Sequence, residues 1–488
     1  MQNIKDNTVK GQSDTVFLSK LKRKLPEYFT ENEEFNLEKF KFELNKHNIR
    51  KLDEVYQLDF VGKQAAIQQV KKSPPVKIIP DEEHNKNEGK DSENIFFTGD
   101  NLDALRYLQN TYQSKIDVIY IDPPYNKSGS GFIYSDKFNH SEWLAFMYPR
   151  LALARKLLTD KGCIMISIDK CEAFDLTGLL NEIFGENNFV GQVIRKTRSA
   201  LNSTRTGFNQ QHEFLYIYSK NIDSFKIQGE PKTFEGYANP DNDSGGLWKK
   251  TSASARSGSD TTAFAIKNPY TGRIDYPPKG RFWSFSKSTM ANWIKSGKFV
   301  FKKDYKEGER GFFIKTYLKD LKSKYKPVDS LFGVNNKFMN QAATRYLRDE
   351  IFEGKNVFTS PKPVDFIEKL LEYSTKKDSI VLDFFAGSAT TAEAVMRLNA
   401  SDGGQRKFIL VQLPEKTYYI DKNGNEVPTK GGKVAYNQGF KSIDKLSMER
   451  IKRSAKKVKK ENELLVDFDS SFKHYYVASL YSNNNIIK

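Results

Sequence analysis

Cysteine is nearly absent: only Cys163 and Cys171 occur in 488 residues. Two thiols cannot build a disulfide framework, and without a second pair they cannot close a zinc cluster, so a reducing compartment is expected and a structural metal is not. Histidine is as sparse. His47, His84, His140, His212 and His474 share no ligand spacing, so the expected metal is none. No run approaches the roughly 20 apolar residues of a membrane span. The first thirty residues carry Lys5, Asp6, Lys10 and Asp14 where a secretory signal has an apolar stretch, so the expected location is cytoplasmic, with no membrane partner. No internal repeat of fixed period is visible, which argues against a solenoid or propeller.

What the chain does have is length, aromatic residues and positive charge. Its length predicts about three structural units and at least one large core. The 36 Phe, 24 Tyr and 4 Trp supply the apolar surface of a folded rather than a disordered protein. Lys plus Arg outnumber Asp plus Glu by 78 to 61, and this formal +17 points to an extended anionic partner, because summed charge sets the far field.

Apolar residues at helical spacing, Phe17, Leu18, Leu21, Leu25 and then Phe35, Leu37, Phe40, Phe42 and Leu44, predict a helical N-terminal region over 1–72. Three prolines and a dense charged tract predict a linker over 73–94. From residue 95 short apolar runs at 95–97, 118–121, 164–168 and 214–218 read as buried strands, with a helix over 141–158 between two of them. That alternation predicts a mostly parallel α/β sheet. It breaks down between 221 and 355, where 25 basic residues face 15 acidic ones, and returns at 380–384, 390–398 and 408–413. The sheet is therefore expected from two chain segments, 95–220 and 356–420, flanking a basic insert at 221–355. A basic C-terminal region, 421–488, follows, with a helix around 448–460.

Asp122-Pro123-Pro124-Tyr125 stands directly after the apolar run 118–121. Ligands bind beyond the carboxyl ends of strands in open α/β sheets. The Asp122 carboxylate and the Pro123 carbonyl can each accept from an exocyclic NH2, the prolines remove competing backbone donors, and Tyr125 offers a face to a flipped base. A helix-capping Asp in a proline-rich turn is the plainer reading of the same four residues. Downstream, the stretch Asp383-Phe384-Phe385-Ala386-Gly387-Ser388-Ala389-Thr390-Thr391 joins a strand to a helix. Glycine there permits close backbone approach, and the helix start offers free N–H groups, which together suit a nucleotide-like cofactor.

With both motifs in view, the sequence resembles the amino-group DNA methyltransferases that use S-adenosyl-L-methionine. The arrangement is the permuted β one, in which DPPY (122–125) precedes the FxGxG-type motif (385–389). The stretches FFTGDNLDALRYL, KIDVIYIDPPYNKSGSGFIYSD, VLDFFAGSATTAEAVMRLNA, GGQRKFILVQLPE and SIDKLSMERIKRSAKK resemble the modification (Mod) subunits of type III restriction-modification systems. The resemblance covers roughly residues 95–460 and is weakest in the insert.

It implies a Rossmann-like methyltransferase sheet with the insert as target-recognition domain. Asp122 and Pro123 would hold an adenine N6 amine, with Tyr125 stacking on the base and Pro124 completing the motif. Asp383, Phe385, Ala386, Gly387 and Ser388 would line the cofactor, Asp100 would meet its adenine, and Lys362 and Pro363 belong to a segment that closes over it. Two positions depart from the pattern. The second glycine is Ala389, so that turn is expected in an ordinary backbone region. Where relatives place an acid on the ribose hydroxyls stands Gln412, which can accept through its amide oxygen; Glu415 is the alternative. His212-Glu213 resembles a strand-leading feature that shapes the base pocket.

In the insert, Lys249, Lys250, Arg273, Lys279 and Arg281 are interleaved with aromatics and are expected to meet double-stranded DNA. The expected function is N6-adenine methylation as the modification subunit of a restriction-modification system. DPPY rather than a serine-led SPPY favours adenine over N4 of cytosine, and a DNA-binding specificity subunit with little methyl transfer is the reading of another class. The resemblance further implies a homodimer and a helicase-nuclease restriction subunit as partner. The stretch at 463–488 stops without a clear closing element, which suggests a reduced C-terminal extension.

Overall fold

The computed structural model describes residues 19, 21–30, 35–36, 39–40, 58–72, 76–127, 138–200, 208–462 and 468–479. Of the expected N-terminal helical region, positions 17, 18, 37, 42 and 44 lie outside the described residues. Within them stand a 3-10 turn at Pro26–Tyr28 and a helix α1 at Lys63–Lys71.

Ten strands form the main sheet: β1 Val76–Pro80, β2 Ile95–Thr98, β3 Ile116–Ile121, β4 Leu158–Ile168, β5 Phe189–Lys196, β6 His212–Ser219, β7 Leu331–Phe332, β8 Ile380–Asp383, β9 Lys407–Gln412 and β10 Lys473–Ser479. Their order is β1-β10-β2-β9-β8-β3-β4-β6-β5-β7. The run from β10 to β4 is parallel, β6 is antiparallel to both neighbours, and β1 closes the far edge antiparallel to β10. Successive strand residues point to opposite faces, so Phe96, Val118, Val381 and Phe408 pack one core layer and Phe97, Ile119, Leu382 and Ile409 the other. Burial on both faces is why these strands read as continuous apolar runs.

Helices α2 Asn101–Tyr112, α3 His140–Leu157 and α4 Ala173–Phe184 cover the second layer with α1. Helices α5 Val364–Ser374, α6 Thr390–Asp402 and α7 Ile443–Glu461 cover the first. From β8 the chain crosses through α6 to β9 on one side; from β3 it crosses through α3 to β4 on the other. The carboxyl ends of these adjacent strands therefore open a crevice at the point where the winding reverses.

The expected linker at 73–94 is corrected from residue 76 onward. Residues 76–80 are strand β1, and Glu82–Asn87 is a short helix whose N-cap Asp81 accepts from His84 N. The partner of β1 is β10, so residues 473–479 lie inside the sheet between β1 and β2. The insert carries its own aromatic core of Phe264, Trp283, Phe285, Phe299 and Phe312. It also carries a three-stranded sheet over Trp248–Thr251, Phe299–Phe301 and Phe312–Tyr317. Its two ends belong to the main fold: Phe225 and Phe332 pack the first core layer, and β7 pairs with β5.

Candidate functional site

A cavity of about 270 Å³ opens at the crevice between β3 and β8. Its wall holds Asp100, Asp122, Pro124, Lys362, Asp383, Phe385, Ala386, Gly387, Ser388 and Gln412, so one fold brings together ten of the thirteen residues expected at the catalytic and cofactor sites. Pro123, Tyr125 and Pro363 are buried off that wall.

Asp122 follows β3 directly, and the turn after it is pinned by Trp143 of α3, whose Nε1 donates to Pro124 O at 2.8 Å. One carboxylate oxygen, Oδ2, accepts from Lys362 Nζ at 2.7 Å. The other, Oδ1, is buried and has no hydrogen-bond partner among the described residues. The plainer reading, a helix-capping Asp, therefore does not hold. Tyr125 is 6% exposed, its hydroxyl donates to Glu213 at 3.1 Å, and the ammonium groups of Lys362 and Lys127 stand 4.9 and 5.0 Å from its ring centre. Its face is covered rather than open to a base.

Behind Tyr125, Glu213 and Arg195 face each other across β6 and β5 and pair at 2.6 Å. Burial works to raise the Glu213 carboxyl, but the charges of Lys362 and Arg195 override it and hold it down at about 2. Arg195 also donates to Phe338 O. Sequence reasoning noticed Glu213 and missed Arg195, which stands beside Lys196 at the end of its strand and is set apart only by its pairing with Glu213.

The turn after β8 is held by its own strand neighbours. Asp383 accepts from Phe385 N at 3.0 Å and Thr391 Oγ1 at 2.6 Å, and burial pushes its carboxyl up to about 7. Gly387 takes φ +52° and its N–H donates to Gln412 Oε1 at 2.7 Å. The amide oxygen expected to meet a ribose hydroxyl is thus engaged in bracing the turn, while Glu415 also lines the cavity. The expectation for Ala389 is overturned: it sits at φ +60°, ψ 37°, in the left-handed region, as N-cap of α6. The turn requires this of whatever residue stands there, at a cost of about 1–2 kcal/mol for a side chain with Cβ.

At the other end of the cavity Asp100 caps α2, accepting from Leu102 N at 2.8 Å and Asp103 N at 3.3 Å. Arg150 reaches Asn101 Oδ1 at 2.6 Å and Asp100 Oδ2 at 3.4 Å, and its guanidinium lies 3.6 Å from the centre of the Phe146 ring. Burial lowers Arg150 to about 10. With Phe138 and Phe385, whose rings are tilted 30° and 54° to that of Phe146, this gives an aromatic wall beside an acid, a lining that suits a purine.

The basic helix expected around 448–460 is part of α7, and its buried face supports the turn after β8. In α7, Arg450 is 1% exposed and donates to Ser388 O and Ser388 Oγ, and Ser447 Oγ donates to Gly387 O. Of the insert residues, Lys250, Arg273, Lys279 and Arg281 are exposed, and half-buried Lys249 lines a second cavity with Lys232, Phe234 and Tyr237. None of the five lines the main cavity. Among the described residues His140 stands beside Glu172 and Asp175, with side-chain polar atoms within 4.8 Å of one another.

The DNA methylase family profile matches residues 116–423, a span that holds both motifs and the insert. The StyLTI type III Mod subunit of Salmonella typhimurium is 35% identical over 98% of this chain and 76% of its own length. The EcoPI type III Mod subunit of Escherichia phage P1 is 33% identical over 93% and 77%. The type II methyltransferase M.KpnI of Klebsiella pneumoniae is 32% identical over 73% and 86%. Among solved structures, M1.HpyAVI complexed with SAM covers 65% of this chain and 93% of its own, at 14% identity and a TM-score of 0.31. That level of likeness carries no residue role. Among the described residues no helix is long and apolar enough to cross a membrane. The chain belongs to the DNA methylase family, as a DNA methyltransferase of the kind that serves restriction-modification systems.

Proposed function

We propose that this chain transfers a methyl group from S-adenosyl-L-methionine to N6 of an adenine extruded from duplex DNA. The observation that carries this reading is Asp122 Oδ1: a buried acceptor without a partner among the described residues, in the same cavity as the Gly387 turn. A buried carboxylate oxygen that lacks a donor is costly unless one completes it, and an exocyclic NH2 is such a donor. The cavity also fits a cationic purine cofactor. Asp100 and Glu415 supply negative wall, Phe146 and Phe385 an aromatic one, and residues 386–388 a backbone that comes close.

When bound, S-adenosyl-L-methionine supplies a methyl group on a sulfonium, reactive enough for a weak nucleophile. The protein's task is then orientation. An aromatic amine is poorly nucleophilic because its lone pair is delocalised into the ring. Asp122 Oδ1 accepts one N–H and the Pro123 carbonyl the other, which favours the reactive geometry of the nitrogen, and two rigid prolines hold both acceptors in place. Extruding the base costs a few kcal/mol, offset by contacts in the pocket. For Tyr125 to stack on that base, Lys127 or Lys362 has to give up its place over the ring. Lys249, Lys250, Arg273, Lys279 and Arg281 lie on the insert's surface and meet DNA phosphates and base edges. A homodimer, recruitment of a helicase-nuclease restriction subunit and a cytoplasmic setting complete the proposal.

The test is incorporation of tritiated methyl from labelled cofactor into duplex DNA, followed by nucleoside analysis. N6-methyl-2′-deoxyadenosine as the labelled product supports the reading; N4-methyl-2′-deoxycytidine moves it to cytosine, and no incorporation overturns it. Light scattering on the purified chain, alone and with a co-expressed restriction subunit, tests the assembly.

A further inference from the structure

Lys362 ties the two halves of the site together. Its backbone carbonyl accepts from Thr390 Oγ1, at the start of the helix that follows the Gly387 turn. Its side chain runs the other way, to Asp122 Oδ2 at 2.7 Å and to within 3.8 Å of Glu213 Oε2, and is 9% exposed. Two carboxylates and two cations, Asp122, Glu213, Arg195 and Lys362, form one charge cluster. Arg195 is committed to Glu213 and to Phe338 O. Among the described residues Lys362 is the one cation within ion-pair distance of Asp122.

This arrangement decides which way the carboxylate faces. With Oδ2 drawn to the ammonium, Oδ1 is the oxygen left without a partner among the described residues. Without the ammonium, Asp122 would stand near the buried charge of Glu213 with nothing to fix its rotamer, and like charges drive such a pair apart. We propose that Lys362 is a positioning residue for methyl transfer: it fixes Asp122 so that Oδ1 faces the target amine, rather than holding the cofactor. This rests on the N6-methylation reading above.

The experiment compares wild type with Lys362→Met, Lys362→Gln, Lys362→Ala and Lys362→Arg, by single-turnover methyl transfer at saturating DNA and by equilibrium binding of S-adenosyl-L-methionine. Misplacing a reacting group by about 1 Å costs about a hundredfold in rate. The expected result is a loss of that order in the Met, Gln and Ala variants, with the cofactor Kd within about threefold of wild type. Arg is expected to restore part of the rate, and n-propylammonium to rescue Lys362→Ala in a saturable manner. A Kd that rises in step with the lost rate returns Lys362 to the cofactor and overturns the proposal. So does an unchanged rate in the neutral variants, or failure of the neutral variants to fold. A wild-type protein that transfers no methyl group overturns the N6-methylation reading itself, and this proposal with it.

Discussion

Replacing Arg450 with alanine separates a helix that supports the cofactor turn from a helix that lies on DNA. Arg450 and Glu393 are each 1% exposed and pair at 2.9 Å. Arg450 also donates to Ser388 O at 3.0 Å and Ser388 Oγ at 2.8 Å. Removing one partner of a buried pair costs about 3–5 kcal/mol, because the other charge is left behind. Here Glu393 keeps Arg397 at 2.8 Å, Tyr346 OH and Ser454 Oγ at 2.9 Å, so the low end applies, about 3 kcal/mol. The freed carbonyl at 388 and the loosened turn should weaken S-adenosyl-L-methionine by about tenfold, or about 1.4 kcal/mol. Urea denaturation reads the first number and equilibrium cofactor binding the second. DNA affinity should keep its dependence on salt, since a buried guanidinium releases no counterions. Unchanged stability together with a salt slope lowered by about one would refute this reasoning and put α7 on the phosphates.

Asp122→Ala should leave the cofactor Kd within a few-fold and remove most single-turnover methyl transfer; near-normal turnover would sink the amine-acceptor role. Asp383 is raised from 3.8 to about 7 by burial, so its protonated form is favoured in the fold. Its contribution to stability is full below about pH 4 and lost as pH rises through about 7. The stability of wild type relative to Asp383→Asn should fall as pH rises across that window in urea denaturation, while affinity for a cationic cofactor rises; a difference independent of pH would contradict the burial. Replacing Lys249 and Lys250 together should lower affinity for cognate and unrelated duplexes alike and reduce the salt slope by about two. Loss confined to the cognate site in a gel-shift titration would make them base readers instead.

The site was legible where chemistry and chain order coincide. DPPY and the Gly387 turn each follow an apolar strand, and they meet because β3 and β8 are neighbours, with Val118 opposite Val381. What stayed hidden depends on contacts across the chain. Proline and charge at 73–94 gave no cue to β1, because its partner is β10 and Val76 pairs with Ser479 at the other end of the chain. Lys362 reads from the sequence as part of a segment that closes over the cofactor, and Arg195 and Arg450 as ordinary charges; their pairing with Asp122, Glu213 and Glu393 is set by the fold.

Ala389 shows the same limit in a single residue. A methyl disfavours the left-handed region, and from local sequence alone an ordinary backbone is the better expectation. The fold reverses it. Ala389 is fully buried among the first core layer, and burying that methyl recovers about 0.8 kcal/mol. The carbonyls of Gly387 and Ser388 are gripped by Ser447 and Arg450, about 60 residues downstream. The turn is therefore set by α7 and by Gln412 on β9, and residue 389 follows its geometry. A glycine there would remove the strain and lose the buried methyl, two terms of similar size. That is why alanine serves at a position where the family pattern has glycine.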